Sequence, residues 1–294
     1  MTDRYPDWAT EGRDWPNCAA SSFVQAGGYR WHVQRMGSGP VCVLIHGTGA
    51  ATHSWRDVMP LLAERYSVIA MDLPGHGFTR FVPGKRPTLE AMAEAVAALL
   101  DTLAAPPALV VGHSAGAAIG AQMLIDRGWN APLIGLAPAL MPFPGLAARL
   151  FPQLATLMFS NPVVSIIFSR MARSPGEAAK FLRRSTGSTI DARGEALYTR
   201  LFSTSGHCDG AIRMMANWRL EPLGQRIGAL AGRVMLVHPS GDTAVPLSAV
   251  TAAAALIPGC ETTEMRDLGH LAHEEDPARA VALIDAFARR HGVA

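Results

Sequence analysis

Gly112-His113-Ser114-Ala115-Gly116 follows the apolar run of residues 108–111 and precedes the alanine-rich, helix-forming run of residues 117–125. The order is strand, sharp turn, helix. Such a turn brings helix and strand so close that a side chain at Gly112 or Gly116 would collide, and it holds Ser114 in a strained conformation with its hydroxyl pointing outward. The G-x-S-x-G string alone also fits a plain glycine-rich turn, so the reading depends on what the rest of the chain supplies.

An exposed serine on such a turn acts as a nucleophile when a base and an orienting acid follow in the chain order Ser, Asp, His. Residues 233–237, Arg-Val-Met-Leu-Val, read as a buried strand running into His238-Pro239-Ser240-Gly241-Asp242, a turn cluster that presents Asp242 at the strand's C-terminal end. Asp242 is the candidate acid, with a cap on the helix that starts near Pro246 as the structural alternative. Residues 262–265 form a weaker strand, and Asp267-Leu268-Gly269-His270 after it offers His270 as the base. His273 is the rival. It lies among Glu274, Glu275 and Asp276, just before a helix that opens at Pro277, and reads as capping or surface chemistry. His32 on an alternating strand, His76 in a glycine turn and His291 in the tail read as structural. No histidine pair has convincing zinc spacing, so no metal is expected, and acyl transfer to water requires no cofactor.

The charge that develops on a tetrahedral intermediate needs two backbone N–H donors. Residues 41–45 are a continuous apolar run, hence a buried strand, followed by His46-Gly47-Thr48-Gly49-Ala50-Ala51 and a helix from Ser54. The N–H groups of Thr48 and Ala115 are the assigned donors, with Gly49 in reserve. The same loop mimics a dinucleotide-binding fingerprint, trailed by Asp72 as the ribose acid. Its third glycine, however, is replaced by Thr52, and that reading leaves Ser114, Asp242 and His270 unexplained.

The chain has 294 residues, 49% of them apolar, enough to bury a large core without metal or disulfides. Its net charge of +2 argues against nucleic acid as the main partner. Cys18, Cys42, Cys208 and Cys260 are scattered without a C-x-x-C pair and are expected to be reduced. The N-terminus mixes acidic and basic residues and shows no secretion signal, which predicts a cytoplasmic location.

Residues 23–26 and 29–35 flank Gly27-Gly28 as a hairpin. Strands near 41–45, 67–71, 108–112, 132–136, 233–237 and 262–265 then alternate with helical stretches, which predicts an α/β fold with a mainly parallel, eight-stranded sheet and helices on both faces. The alternation stops between about Ala139 and Glu221. Helical patterns recur there at residues 145–158, 162–171, 175–184, 191–201 and 207–218, so 139–221 is expected to be a helical cap over a core of 1–138 and 222–294.

The cap is oily, with no charge between Arg149 and Arg170. Pro152, Asn161 and Pro162 interrupt the run, which argues against a spanning helix. Three readings compete: ordinary cap core, the wall of a large apolar substrate pocket, and a lid resting on a membrane surface. Met141, Phe143, Phe151 and Met158 from the cap are the expected substrate contacts, joined by Trp55, Val245 and Leu271 from core loops. Arg170, Arg173, Lys180, Arg183 and Arg184 follow and suit phospholipid headgroups, a substrate carboxylate or simply a solvated face.

Taken together, the turn at residues 112–116, His46-Gly47, Asp72-Leu73-Pro74-Gly75-His76-Gly77, Asp242 and Gly269-His270 resemble the alpha/beta-hydrolase superfamily, over the whole chain. Serine at the turn separates it from the haloalkane dehalogenase and epoxide hydrolase branches, which use a carboxylate. Glu11-Gly12-Arg13-Asp14-Trp15-Pro16-Asn17, Trp31-His32-Val33-Gln34, Gly47-Thr48-Gly49-Ala50-Ala51-Thr52-His53-Ser54-Trp55-Arg56 and Pro142-Phe143-Pro144-Gly145 resemble the magnesium chelatase accessory proteins of bacteriochlorophyll biosynthesis in photosynthetic bacteria. That resemblance implies a tetrapyrrole pathway and a magnesium chelatase contact, without supplying a reaction. Two functions stay open: hydrolysis of an ester or related acyl bond of a bulky hydrophobic substrate, and a non-catalytic porphyrin-binding accessory protein that keeps an idle triad.

Overall fold

The structure, a computed structural model, describes residues 5–142 and 162–293. A short helix, α1 (Trp8–Glu11), precedes the sheet. Eight strands form one sheet: β1 (Ser21–Ala26), β2 (Tyr29–Met36), β3 (Val41–Ile45), β4 (Ser67–Met71), β5 (Leu109–His113), β6 (Leu133–Leu136), β7 (Val234–Pro239) and β8 (Glu261–Met265). Their spatial order is β1-β2-β4-β3-β5-β6-β7-β8. The β1–β2 and β2–β4 pairs are antiparallel; every pair from β4 to β8 is parallel.

The continuous apolar runs are explained by burial on both faces of the sheet. Val43 and Ile45 of β3 pack with α3 (Leu89–Thr102), α4 (Ala115–Arg127) and α10 (Leu247–Ala255). Cys42 and Leu44 point the other way, against α2 (Val58–Leu62) and α12 (Pro277–Arg290). β8 reads weakly because it is the sheet edge, where Glu261, Thr262, Thr263 and Glu264 are all at least partly exposed and only Met265 is buried.

After β4 the chain crosses back over β3 to reach β5, and from there the strands grow in the opposite direction. A crevice therefore opens at the C-terminal ends of β3 and β5, where the connections part. In the register Ile45 stands beside Gly112, so the loop after β3 and the turn after β5 meet there.

Between β6 and β7 the described insertion is helical: α5 (Pro162–Ala172), α6 (Glu177–Thr186), α7 (Ala192–Phe202), α8 (Ser205–Ala216) and the short α9 (Glu221–Arg226). Four of these match expected helices to within a few residues. The fifth expectation, at 145–158, lies outside the described residues. Asp191 caps α7 by accepting from the Gly194 N–H at 2.7 Å, and Gly187 ends α6 at φ 70°. Among the described residues no helix is long and apolar enough to cross a membrane.

Candidate active site

Ser114 joins β5 to α4 at φ 52°, ψ −118°, a backbone conformation of the kind that costs a non-glycine residue about 1–3 kcal/mol. Its surroundings enforce it. A Cβ on Gly112 would stand 2.4 Å from the Ala117 nitrogen, and one on Gly116 would stand 2.1 Å from the Ile45 carbonyl oxygen. The Ser114 N–H donates to the Leu136 carbonyl at 3.0 Å, and the Ser114 carbonyl accepts from Ala117 and Ala139.

Asp242 follows β7 with its side chain wholly buried. Its Oδ1 accepts from the N–H groups of Ala244 at 2.7 Å and Val245 at 2.9 Å, while Oδ2 lies 2.8 Å from His270 Nδ1. One oxygen thus caps the turn and the other faces the imidazole. With the Nδ1 proton directed at the carboxylate, Nε2 of His270 is left as the basic nitrogen. The preceding loop is held to β5 by His113, whose Nε2 donates to the His270 carbonyl at 3.0 Å, the two rings lying 4.8 Å apart. Burial pushes the pKa of His113 well below the usual imidazole range, so it serves as a neutral donor next to Ser114.

Gly47 brings the post-β3 loop onto the turn: a Cβ there would stand 3.0 Å from Ser114 Cβ. Thr48 follows it, its hydroxyl against Met214 Sδ of α8. Ala115 is the first residue of α4, where an N–H has no intrahelical acceptor. Among the described residues neither the Thr48 nor the Ala115 N–H has a backbone acceptor.

Of the expected substrate contacts, Leu271 packs with Ala50 of the core and Leu182, Tyr198 and Phe202 of the cap, in one apolar cluster at their junction. Val245 is buried in the α3/α4-side core, with half-buried Met141 packed against the same cluster. Trp55 requires a correction: it has no exposure, sits in the core on the α2/α12 side and packs against the His273 ring at 4.6 Å. Phe143, Phe151 and Met158 lie outside the described residues.

His273 is also corrected. It is not on the surface but 1% exposed, on the short helix α11 (Ala272–Glu275). Its Nε2 donates to Ser54 Oγ at 2.8 Å, whose proton goes to Glu274 Oε1 at 2.6 Å. Burial pushes its pKa down to about 3. Glu274 further accepts from Tyr198 of α7 at 2.7 Å and from Arg56 at 2.5 Å, and Arg56 also reaches Asp191 at 3.0 Å. Burial pushes the Glu274 carboxyl up, against the pull of Arg56. Sequence alone could not find this network, because an acidic run beside a helix start ordinarily faces water.

Asp72, the would-be ribose acid, is an internal anchor. Its carboxylate binds His32 Nδ1 at 2.8 Å and the N–H groups of Thr52 at 2.7 Å and Phe78 at 2.8 Å. Burial would raise its pKa, but His32 and the two N–H groups outweigh it and hold the carboxyl below its usual range. A carboxylate filled from three sides offers nothing to a nucleotide.

The profile of the alpha/beta hydrolase family matches residues 42–283, and the chain belongs to that family. Its similarity to one member is close: it is 40% identical over 264 residues to the magnesium-chelatase 30 kDa subunit of Rhodobacter capsulatus, covering 89% of this chain and 92% of that one. Among solved structures, a thermophilic esterase of Thermogutta terrifontis superposes with a TM-score of 0.72 at 20% identity, over 92% of this chain and 98% of its own. The epoxide hydrolase CorEH superposes at 0.74 with 24% identity, over 92% of this chain and 98% of its own. At such identities the likeness is one of fold alone, and the reaction has to be argued from the site.

Proposed function

We propose that this protein is a serine hydrolase that cleaves an ester or related acyl bond of a bulky hydrophobic substrate, working in bacteriochlorophyll or tetrapyrrole biosynthesis. The observation that carries the reading is the 2.8 Å contact of His270 Nδ1 with a buried Asp242, at the same C-terminal end of the parallel strands as a strained Ser114. His270 Nε2 takes the Ser114 proton as Oγ attacks the carbonyl carbon. Asp242 stabilises the imidazolium, and the N–H groups of Thr48 and Ala115 receive the oxyanion. The imidazolium then protonates the leaving alcohol, and a water deprotonated by His270 releases the acid and restores Ser114.

The substrate class is read from the junction of core and cap, where Leu271, Phe202, Tyr198 and Ala50 form an apolar cluster. The pathway is read from the relative named for magnesium chelatase. That name equally supports a second reading, a porphyrin-binding accessory protein of the chelatase whose triad is idle. Hydrolysis of p-nitrophenyl butyrate by the wild type and its absence in Ser114→Ala support the enzyme. Protoporphyrin binding at micromolar concentration, seen as tryptophan quenching, without any esterase activity supports the carrier.

The cap also carries a surface suited to an anionic membrane, as expected of a protein that is peripheral at the inner membrane. Ile167, Met171 and Phe181 are about half exposed on α5 and α6, among exposed Arg170, Arg173, Lys180, Arg183 and Arg184. Lys180 and Arg183 share their charge with Glu177 and Glu195, so Arg170, Arg173 and Arg184 carry the attraction, each worth about 1 kcal/mol near an anionic bilayer. Sedimentation with phosphatidylglycerol vesicles, weakened by salt and by Ile167→Ser/Met171→Ser, is the expected result; no sedimentation would show that this face does not meet a membrane.

A further inference from the structure

We propose that the cap sets the position of the catalytic base, with Ser188 and Glu275 as positioning residues; the inference rests on the serine-hydrolase reading above. In most two-part sites a cap is expected to shape the substrate pocket while the core holds the reacting groups. Here the backbone on either side of the base is tied to the cap. The His270 N–H donates to the Thr186 carbonyl at 2.8 Å, at the last residue of α6. The Leu271 N–H donates to Ser188 Oγ at 2.8 Å. Glu275 closes the clasp: its Oε1 accepts from the Gly269 N–H at 2.8 Å and its Oε2 from the Thr189 N–H at 3.1 Å.

Three successive N–H groups, those of residues 269, 270 and 271, therefore end on Glu275, on the last residue of α6 and on the α6–α7 connector. The packing leaves no slack. A Cβ on Gly269 would stand 2.5 Å from both the Ser188 nitrogen and its Oγ, and one on Gly187 would stand 2.2 Å from the Gly241 carbonyl oxygen, next to the acid. The connector is thus wedged between the loop of Asp242 and the loop of His270. Ser188 is 2% exposed, and its hydroxyl is the acceptor that makes burial of the Leu271 N–H tolerable.

Because misplacement of a reacting group by about 1 Å costs on the order of 10²-fold in rate, the clasp predicts a coupling. Any movement of the cap connector moves the base, so cap opening switches the site off as well as exposing it. The residues act through His270 and touch no substrate.

The test uses the full chain with Ser188→Ala and, because Glu275 is only partly buried and its loss leaves the core intact, Glu275→Ala and Glu275→Gln. Turnover of p-nitrophenyl butyrate is measured with Tm, together with the low-field proton resonance of His270 Nδ1, assigned by its loss in His270→Ala. The expected result is a fall in kcat of about tenfold or more in Ser188→Ala and Glu275→Ala, with KM within about twofold. Both variants should broaden or shift the His270 resonance, and Glu275→Gln should recover part of the rate. Wild-type kcat and an unmoved resonance in Glu275→Ala overturn the proposal, as does a loss confined to Ser188→Ala that tracks a loss of cooperative unfolding. If the wild type turns over no ester, the hydrolase reading fails separately, and the resonance alone decides whether the clasp holds the base.

Discussion

Ser114 is held at φ 52° by its neighbours, and the glycines around it mark how little room remains. Gly116→Ala would press a methyl against the Ile45 carbonyl. It should lose soluble folded protein, or shift the turn enough to abolish esterase turnover, as read by circular dichroism and p-nitrophenyl butyrate assay. The two histidines part by role. His270→Ala and Asp242→Asn should each lower kcat by about 10³ or more, by analogy with other triads. His273→Ala should lower Tm, since it leaves the buried Ser54 hydroxyl without a donor at about 1–3 kcal/mol. It should keep turnover of the folded protein within about tenfold; the reverse ranking in kcat would make His273 the base.

At the scale of elements, the Arg56–Glu274 pair ties the post-β3 loop to α11, and Tyr198 and Asp191 bring α7 onto the same point. Glu274→Ala leaves the buried Arg56 with only the solvent-facing carboxylates of Asp57 and Asp191, and takes from Ser54 and Tyr198 their common acceptor. Glu274→Ala should therefore cost about 3–5 kcal/mol in urea unfolding, whereas a loss under about 1 kcal/mol would place the pair in water. The strands β3, β4, β5 and β7 were legible because burial on both faces writes a continuous apolar run, and the turn at Ser114 because its glycines are dictated by close approach. What could not be read was decided by distant partners. His273 and Glu274 look solvated in sequence and are drawn inward by Ser54, Arg56 and Tyr198; Trp55 looks like a pocket wall and is core. Ser188 sits in an unremarkable Gly-Ser-Thr connector whose meaning depends on Leu271.

For the whole molecule, the histidines set a pH limit. Burial pushes the pKa values of His46, His53 and His76 down, those of His53 and His76 well below the usual range. It does the same to His113, and lowers His207 to about 4 and His273 to about 3. In the unfolded chain these groups take up protons near pH 6.5, so the unfolded state binds more protons and stability falls as pH drops from about 6.5 towards 4. Each such proton adds a slope of about 1.4 kcal/mol per pH unit. Urea midpoints should decline steeply across that interval, and His207→Gln should flatten the slope; an unchanged midpoint from pH 7 to pH 5 would contradict the burial of these rings. An activated Ser114 is read most directly by labelling the native protein with a fluorophosphonate, followed by peptide mapping. One modified serine, Ser114, is expected, with a rate that collapses in His270→Ala and no label in Ser114→Ala. A folded wild type that takes no label, or takes it at another serine with Ser114→Ala unaffected, would show that Ser114 is not the nucleophile.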